Sequence, residues 1–122
     1  MKYPVRIAPT ALEDAEEFYL WMFQDSPVNA ANWFNGLLAA IDTLSSMPQR
    51  CPIAPEKEIV GQEIRYLLYS KRYRILFGIE GEAVIIYHIR HTSQQWMTRE
   101  EFLRKPYRNI ENIEPEQPET RE

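Results

Sequence analysis

An α+β fold, a small antiparallel sheet packed on one face by a helical hairpin, is the class the sequence predicts, and three observations predict it. Gln62 to Thr92 reads as three consecutive strands, QEIRYLLYS, KRYRILFGI and AVIIYHIRHT, rich in the β-branched and aromatic residues that suit a pleated, half-buried surface. Residues 11–24 and 27–45 each carry apolar side chains at helical spacing. Only a short break at Gln24-Asp25-Ser26-Pro27 separates them, and so short a link folds two helices into an antiparallel pair. The expected order is strand, helix, helix, three strands and a short C-terminal helix.

A chain of 122 residues fits one domain. The domain is expected over 1–108, followed by an acidic tail, 109–122, whose composition predicts disorder. The formal net charge of −4 resides in ENIEPEQPETRE, with five Glu and one Arg, and the rest of the chain is neutral. Locally the balance reverses, since Gln62–Ile79 holds four basic residues and one acidic, and local charge is what a polyanion feels. No apolar run is long enough to span a bilayer, and MKYPVRIAP lacks the apolar block of a signal peptide. The expectation is a cytoplasmic protein without a membrane partner. Cys51 has no second cysteine to pair with, which suits a reducing compartment. Cysteine and histidine spacing gives no metal site, and no Gly-rich phosphate loop or nucleophile elbow occurs, so neither metal nor cofactor is expected.

Taken in order, Tyr3, Val5 and Ile7 alternate with Pro4 and Arg6 as a short strand does. Thr10 and Glu13 have capping-box spacing at the start of the first helix, whose apolar stripe is Leu12, Ala15, Tyr19, Met22 and Phe23. Glu13, Asp14, Glu16 and Glu17 read as a solvated face that complements the helix dipole. Ser26 caps the second helix, with Pro27 at its first position and Ala30, Phe34, Leu37, Leu38, Ile41 and Leu44 on one face. Trp21 and Trp33 lie at the margins of the hairpin and are given no function. Residues 48–61, PQRCPIAPEKEIVG, read as a long loop with three prolines. Its Arg50, Glu56, Lys57 and Glu58 are candidates to reach a substrate laid on the sheet. After the sheet, Thr98 and Glu101 repeat the capping-box spacing ahead of Phe102 and Leu103.

Within the sheet the cations are the informative residues. A connection at Lys71-Arg72 assigns Arg65, Leu67 and Arg74 to one face, and Ile64, Tyr66, Leu68, Tyr73, Ile75 and Phe77 to the other. A three-residue loop, Glu80-Gly81-Glu82 with Gly81 left-handed, adds Ile85, Tyr87 and Ile89 to the apolar face. The same loop adds His88 and Arg90 to the cations, whereas a two-residue turn would reverse the last strand. An arginine buried without a partner is too costly to keep, so these cations must face water, a carboxylate or a ligand. The expectation is one solvent-facing groove holding Arg65, Arg74 and Arg90, with His91 at its end and the 48–61 loop nearby.

The segments PTALEDAEEFYLWM, the helix starting at Pro27, and above all IRYLLYSKRYRILFGIEGEAVIIYHIRHTSQ resemble the RelE/ParE family of bacterial type II toxins. The resemblance spans residues 3–104. It implies the toxin component of a toxin–antitoxin system, linked to plasmid stabilization and restrained by a cognate antitoxin, an acidic, partly disordered protein. In the nuclease branch, cations on the sheet and its rim hold mRNA in the ribosomal A site. By resemblance Arg65, Arg74, Arg90 and His91 are then the catalytic candidates of a metal-independent endoribonuclease, with the ribosome and mRNA as partners. His91 would serve as acid or base, Arg65 and Arg74 would neutralise phosphate charge, and Arg90 would do the same or position the RNA. Such electrostatic donors are commonly worth about 3 kcal/mol.

The rim Thr92-Ser93-Gln94-Gln95 and the acidic overall charge depart from the nuclease branch. They keep two alternatives open: a ParE-like inhibitor that binds DNA gyrase and cuts no RNA, and a non-catalytic relative of the same fold.

Overall fold

The computed structural model describes residues 2–106, so the tail expected over 109–122 lies outside the described residues. Strand β1 (Val5–Ile7) leads into helices α1 (Pro9–Asp25) and α2 (Pro27–Asp42). Two 3-10 turns, Thr43–Ser45 and Pro48–Arg50, and a five-residue helix α3 (Glu56–Val60) follow. Strands β2 (Arg65–Tyr69), β3 (Tyr73–Glu80) and β4 (Ala83–His91) and helix α4 (Arg99–Leu103) complete the order.

The sheet order is β1-β4-β3-β2. β2, β3 and β4 form the expected antiparallel meander, whereas β1 lies parallel to β4, with Val5 opposite Val84. The sheet is therefore mixed. The chain must cross the helical hairpin before it returns to the sheet, and a crossover brings a strand back in the parallel sense. Central β3 is buried from Tyr73 to Gly78, which explains its nearly continuous apolar run, YRILFGI.

Local signals act much as their chemistry dictates at three helix ends. Ser26 Oγ accepts from Asn29 N at 3.1 Å with Pro27 at the first position of α2. Both halves of the Thr98–Glu101 capping box form. Gly61 closes α3 at φ +86, in the left-handed region. The start of α1 differs. Its N-cap is Ala8, and Thr10 Oγ1 donates instead to the Tyr87 carbonyl at 2.9 Å, tying the helix to β4.

The hairpin covers one face of the sheet. Ala11, Ala15, Leu37, Ile41 and Leu44 meet Ile75, Phe77, Val84, Ile86 and Ile89 there. The other face, expected to be open and cationic, is covered in part by α3 and α4. Ala54, Val60, Ile64, Leu76, Met97 and Phe102 form a second, smaller core on it, with Tyr66 and Tyr87 at its edge.

The connection between β3 and β4 is the two-residue turn Gly81-Glu82, since Glu80 pairs with Ala83. Gly81 takes φ +63 as expected. The shorter turn reverses the first half of β4, so Val84 and Ile86 face the hairpin rather than Ile85 and Tyr87. A bulge then intervenes: Leu76 pairs with His88 but Phe77 with Ile86, leaving Tyr87 as an extra residue. Beyond it the expected parity returns, with Ile89 on the hairpin face and His88 on the other. Tyr87 and His88 both pack on Phe102, with ring centroids 5.3 Å away in each case.

Candidate functional site

The four candidate side chains do not share a groove. Arg65 pairs with Phe77 across β2–β3, while Arg74 pairs with Leu68, so the two arginines leave the sheet on opposite faces. The assignment of both to one face fails because the hairpin closes on the Tyr69–Tyr73 pair, with three residues, Ser70, Lys71 and Arg72, in a connection expected at Lys71-Arg72. Ser70 and Lys71 occupy left-handed backbone, at φ 56 and 63, to make that connection.

Each arginine is also occupied. Arg65 Nη1 donates to the carbonyls of Cys51 at 2.6 Å and Gln49 at 3.2 Å, and Nη2 meets Glu63 at 2.7 Å. These bonds pin the start of β2 to the segment before α3. Arg74 forms a bidentate pair with Glu56, at 2.9 and 2.7 Å, over the ring of Tyr66 at 5.9 Å. Glu56 is 0% exposed and also accepts from Met97 N at 3.0 Å. Burial alone would raise its carboxyl, but the Arg74 guanidinium and the Met97 amide outweigh burial and hold it below the ordinary value. Residues 48–61 thus do reach the sheet, and Glu56 serves there as the buried partner of a buried arginine.

Arg90 lies directly opposite Arg74 on the same face. Its Nη2 donates to the Gln95 carbonyl, Glu101 is 3.9 Å away, and its Nε is buried without a partner. His91 takes the other face, with its ring edge-on to Tyr73 at 5.0 Å. Ser93 N donates to His91 Nδ1 at 3.0 Å, and Ser93 Oγ is 2.7 Å from the same nitrogen. Nδ1 is therefore an acceptor, and the neutral ring carries its hydrogen on Nε2.

His88, counted with the cations, is 1% exposed. Its Nδ1 lies 2.9 Å from Asp14 and its Nε2 3.1 Å from the Phe102 carbonyl. Asp14 also accepts from Ile89 N at 3.0 Å and from Arg104 at 2.7 Å, and Glu13 meets Arg104 at 3.2 Å. The first acids of α1 are thus structural partners of β4 and α4. A carboxylate at a helix start gives the same sequence signal whether it faces water or a cation from a distant segment.

Several large apolar side chains also remain open to solvent. On α1 and the start of α2, Trp21 is 71% and Val28 68% exposed, with Leu20 and Phe23 beside them. Trp33, by contrast, packs into an aromatic cluster with Phe18, Tyr69 and Tyr73, and Tyr69 Oη donates to its carbonyl at 2.9 Å. Helical spacing placed both tryptophans at the hairpin margin. Trp21 stands off the buried stripe, which is the signal that marks it as a surface residue.

Residues 5–96 match the family described as "ParE toxin of type II toxin-antitoxin system, parDE". The chain belongs to the ParE toxin family. No curated protein matches its sequence. Among solved structures, a chain of the "Chromosomal ParDE TA system from P. aeruginosa" aligns at TM-score 0.61 and 14% identity. The alignment covers 74% of this chain and 96% of that one. At that identity the likeness concerns the fold, and it agrees with the α+β domain described above. This ParE-family chain is the toxin component of a type II system. Among its described residues no helix is long and apolar enough to cross a membrane, and no three His, Cys, Asp or Glu cluster as metal ligands.

Proposed function

We propose that this toxin acts by binding protein, with DNA gyrase as its target, and that an antitoxin encoded beside it holds it inactive. One observation carries the reading. The cations that an RNA-cleaving groove would bring together are split between two faces, and Arg65 and Arg74 are spent on internal partners. Arg74 offers little to a phosphate, because breaking its buried pair leaves an uncompensated Glu56 carboxylate behind, and Arg65 is held by the Gln49 and Cys51 carbonyls. Exposed Leu20, Trp21, Phe23 and Val28, in contrast, are the kind of apolar surface that a protein partner buries. Membership of the ParE family supports the same reading. The antitoxin is expected to be acidic and partly disordered and to contact the sheet or the hairpin.

The test is a paired assay on the purified chain. Supercoiling by gyrase is expected to fall in its presence, while translated mRNA stays intact. Cutting of translated mRNA that disappears in His91→Ala, with supercoiling untouched, would overturn the proposal. Arg74→Ala cannot serve as the discriminating variant, since it leaves Glu56 buried without its partner and is expected to destabilise the fold.

A further inference from the structure

Phe18 and Trp21 of α1 face Tyr73 and His91 of the sheet across an open pocket of about 510 Å³, with Glu17 and Ser93 on its rim. Three features of this pocket call for a cation. Its walls are aromatic, and an aromatic face attracts a cation placed within about 6 Å of it. Trp21 in particular packs against no other ring among the described residues. Glu17 supplies a carboxylate whose side chain makes no ion pair or hydrogen bond among the described residues, with Arg90 and Arg104 lining the adjoining pocket on its other side. Its neighbours differ: Glu13 and Asp14 are both taken by Arg104. Finally, the Ser93 hydroxyl, 2.7 Å from the accepting His91 Nδ1, keeps its oxygen lone pairs for an incoming N–H at the rim.

We propose that this pocket seats the guanidinium of an arginine presented by a protein partner. The planar group stacks on Trp21 while its N–H fork reaches the Glu17 carboxylate and the Ser93 hydroxyl. Arginine fits better than lysine because the acceptors stand at the rim of a flat aromatic wall, where a fork can bond and stack together. The inference rests on reading the chain as a protein binder, and it deepens that reading by naming the anchor.

The probe is N-acetyl-arginine amide, titrated against the whole chain while the Trp21 indole and His91 ring resonances are followed by NMR. N-acetyl-citrulline amide, of the same shape without the charge, is the control. Saturable shifts at both residues are expected in the millimolar range, weaker by about five- to thirty-fold for citrulline. Glu17→Gln should abolish the shifts at both residues and Trp21→Ala the shift at His91, without lowering the melting temperature, because both side chains are exposed. Equal shifts with citrulline, no shifts with arginine, or arginine binding that survives Glu17→Gln would each overturn the proposal. A second arm separates it from the reading beneath it. If the native chain leaves gyrase untouched, the proposed target falls while the pocket is judged on the probe alone. If it inhibits gyrase, Glu17→Gln must weaken inhibition by a similar factor; undiminished inhibition would mean that the partner does not use this pocket.

Discussion

The two faces of the sheet are held by different physics. The hairpin face is a conventional apolar core in which Leu37, Leu44, Ile75, Phe77 and Ile86 are fully or almost fully buried. The opposite face has a smaller apolar core and makes up the difference with charge: Arg74 on Glu56, and His88 and Arg104 on Asp14. Helices α3 and α4 have five residues each, too few to bury much surface, so ion pairs and hydrogen bonds from backbone N–H groups to carboxylates fix them in place. A cation-rich strand face is therefore not evidence of a ligand by itself. Apolar contacts tolerate repacking, whereas a buried pair fails when either half is lost.

The largest effect should follow from breaking the Arg74–Glu56 pair on one side only. Arg74→Met or Glu56→Met alone is expected to cost about 3–5 kcal/mol of unfolding free energy, because the surviving charge stays buried. The double variant should recover most of that loss. Urea unfolding of the four proteins gives the coupling directly, and a double variant as unstable as either single one would mean that the pair is not the element holding α3.

Acid should expose the same difference between the faces. The folded-state carboxyl of Glu56 lies below its ordinary value of 4.5. Its contribution is thus fully present above 4.5 and is lost as pH falls through the lower, folded value. Stability of the native chain should drop in that range, and the Glu56→Met/Arg74→Met chain should drop less steeply. Urea midpoints measured across the acid range check the sign.

The smallest effect belongs to the hairpin side. Ser26→Ala removes one cap bond, to Asn29 N, and should cost about 1 kcal/mol with no pH dependence of its own. A thermal melt of the variant suffices, and a loss as large as that of Arg74→Met would break the contrast drawn between the faces.

The hairpin side was legible because its signals are local. Ser26-Pro27 and the apolar stripe of α2 each specify structure within a few residues, and on the opposite side the Thr98–Glu101 box does the same for α4. The buried pair was not legible, since Glu56 sits in a proline-rich segment and meets Arg74 18 positions later. Nor was the partner of Asp14, 74 positions away at His88. The sheet was legible as three strands but not in its full pairing. The parallel β1 depends on the long return of the chain, and the face of each β4 residue depends on turn length and bulge together. Of the candidate groove, only Arg74 and Arg90 lie side by side on one face. The exposed Trp21 was readable only as a residue off the buried stripe.

The bulge at Tyr87 means that β4 spends one more residue than its partner over the same length of ladder. The surplus is a place where chain length can vary inside a strand. A relative lacking that one residue can keep Phe77 against Ile86 below the gap and Ile75 against Ile89 above it. Removing His88 would instead seat Tyr87 opposite Leu76, and removing Ile86 would seat Tyr87 opposite Phe77 in the hairpin core. A one-residue gap can therefore fall within the most regular-looking stretch of the protein.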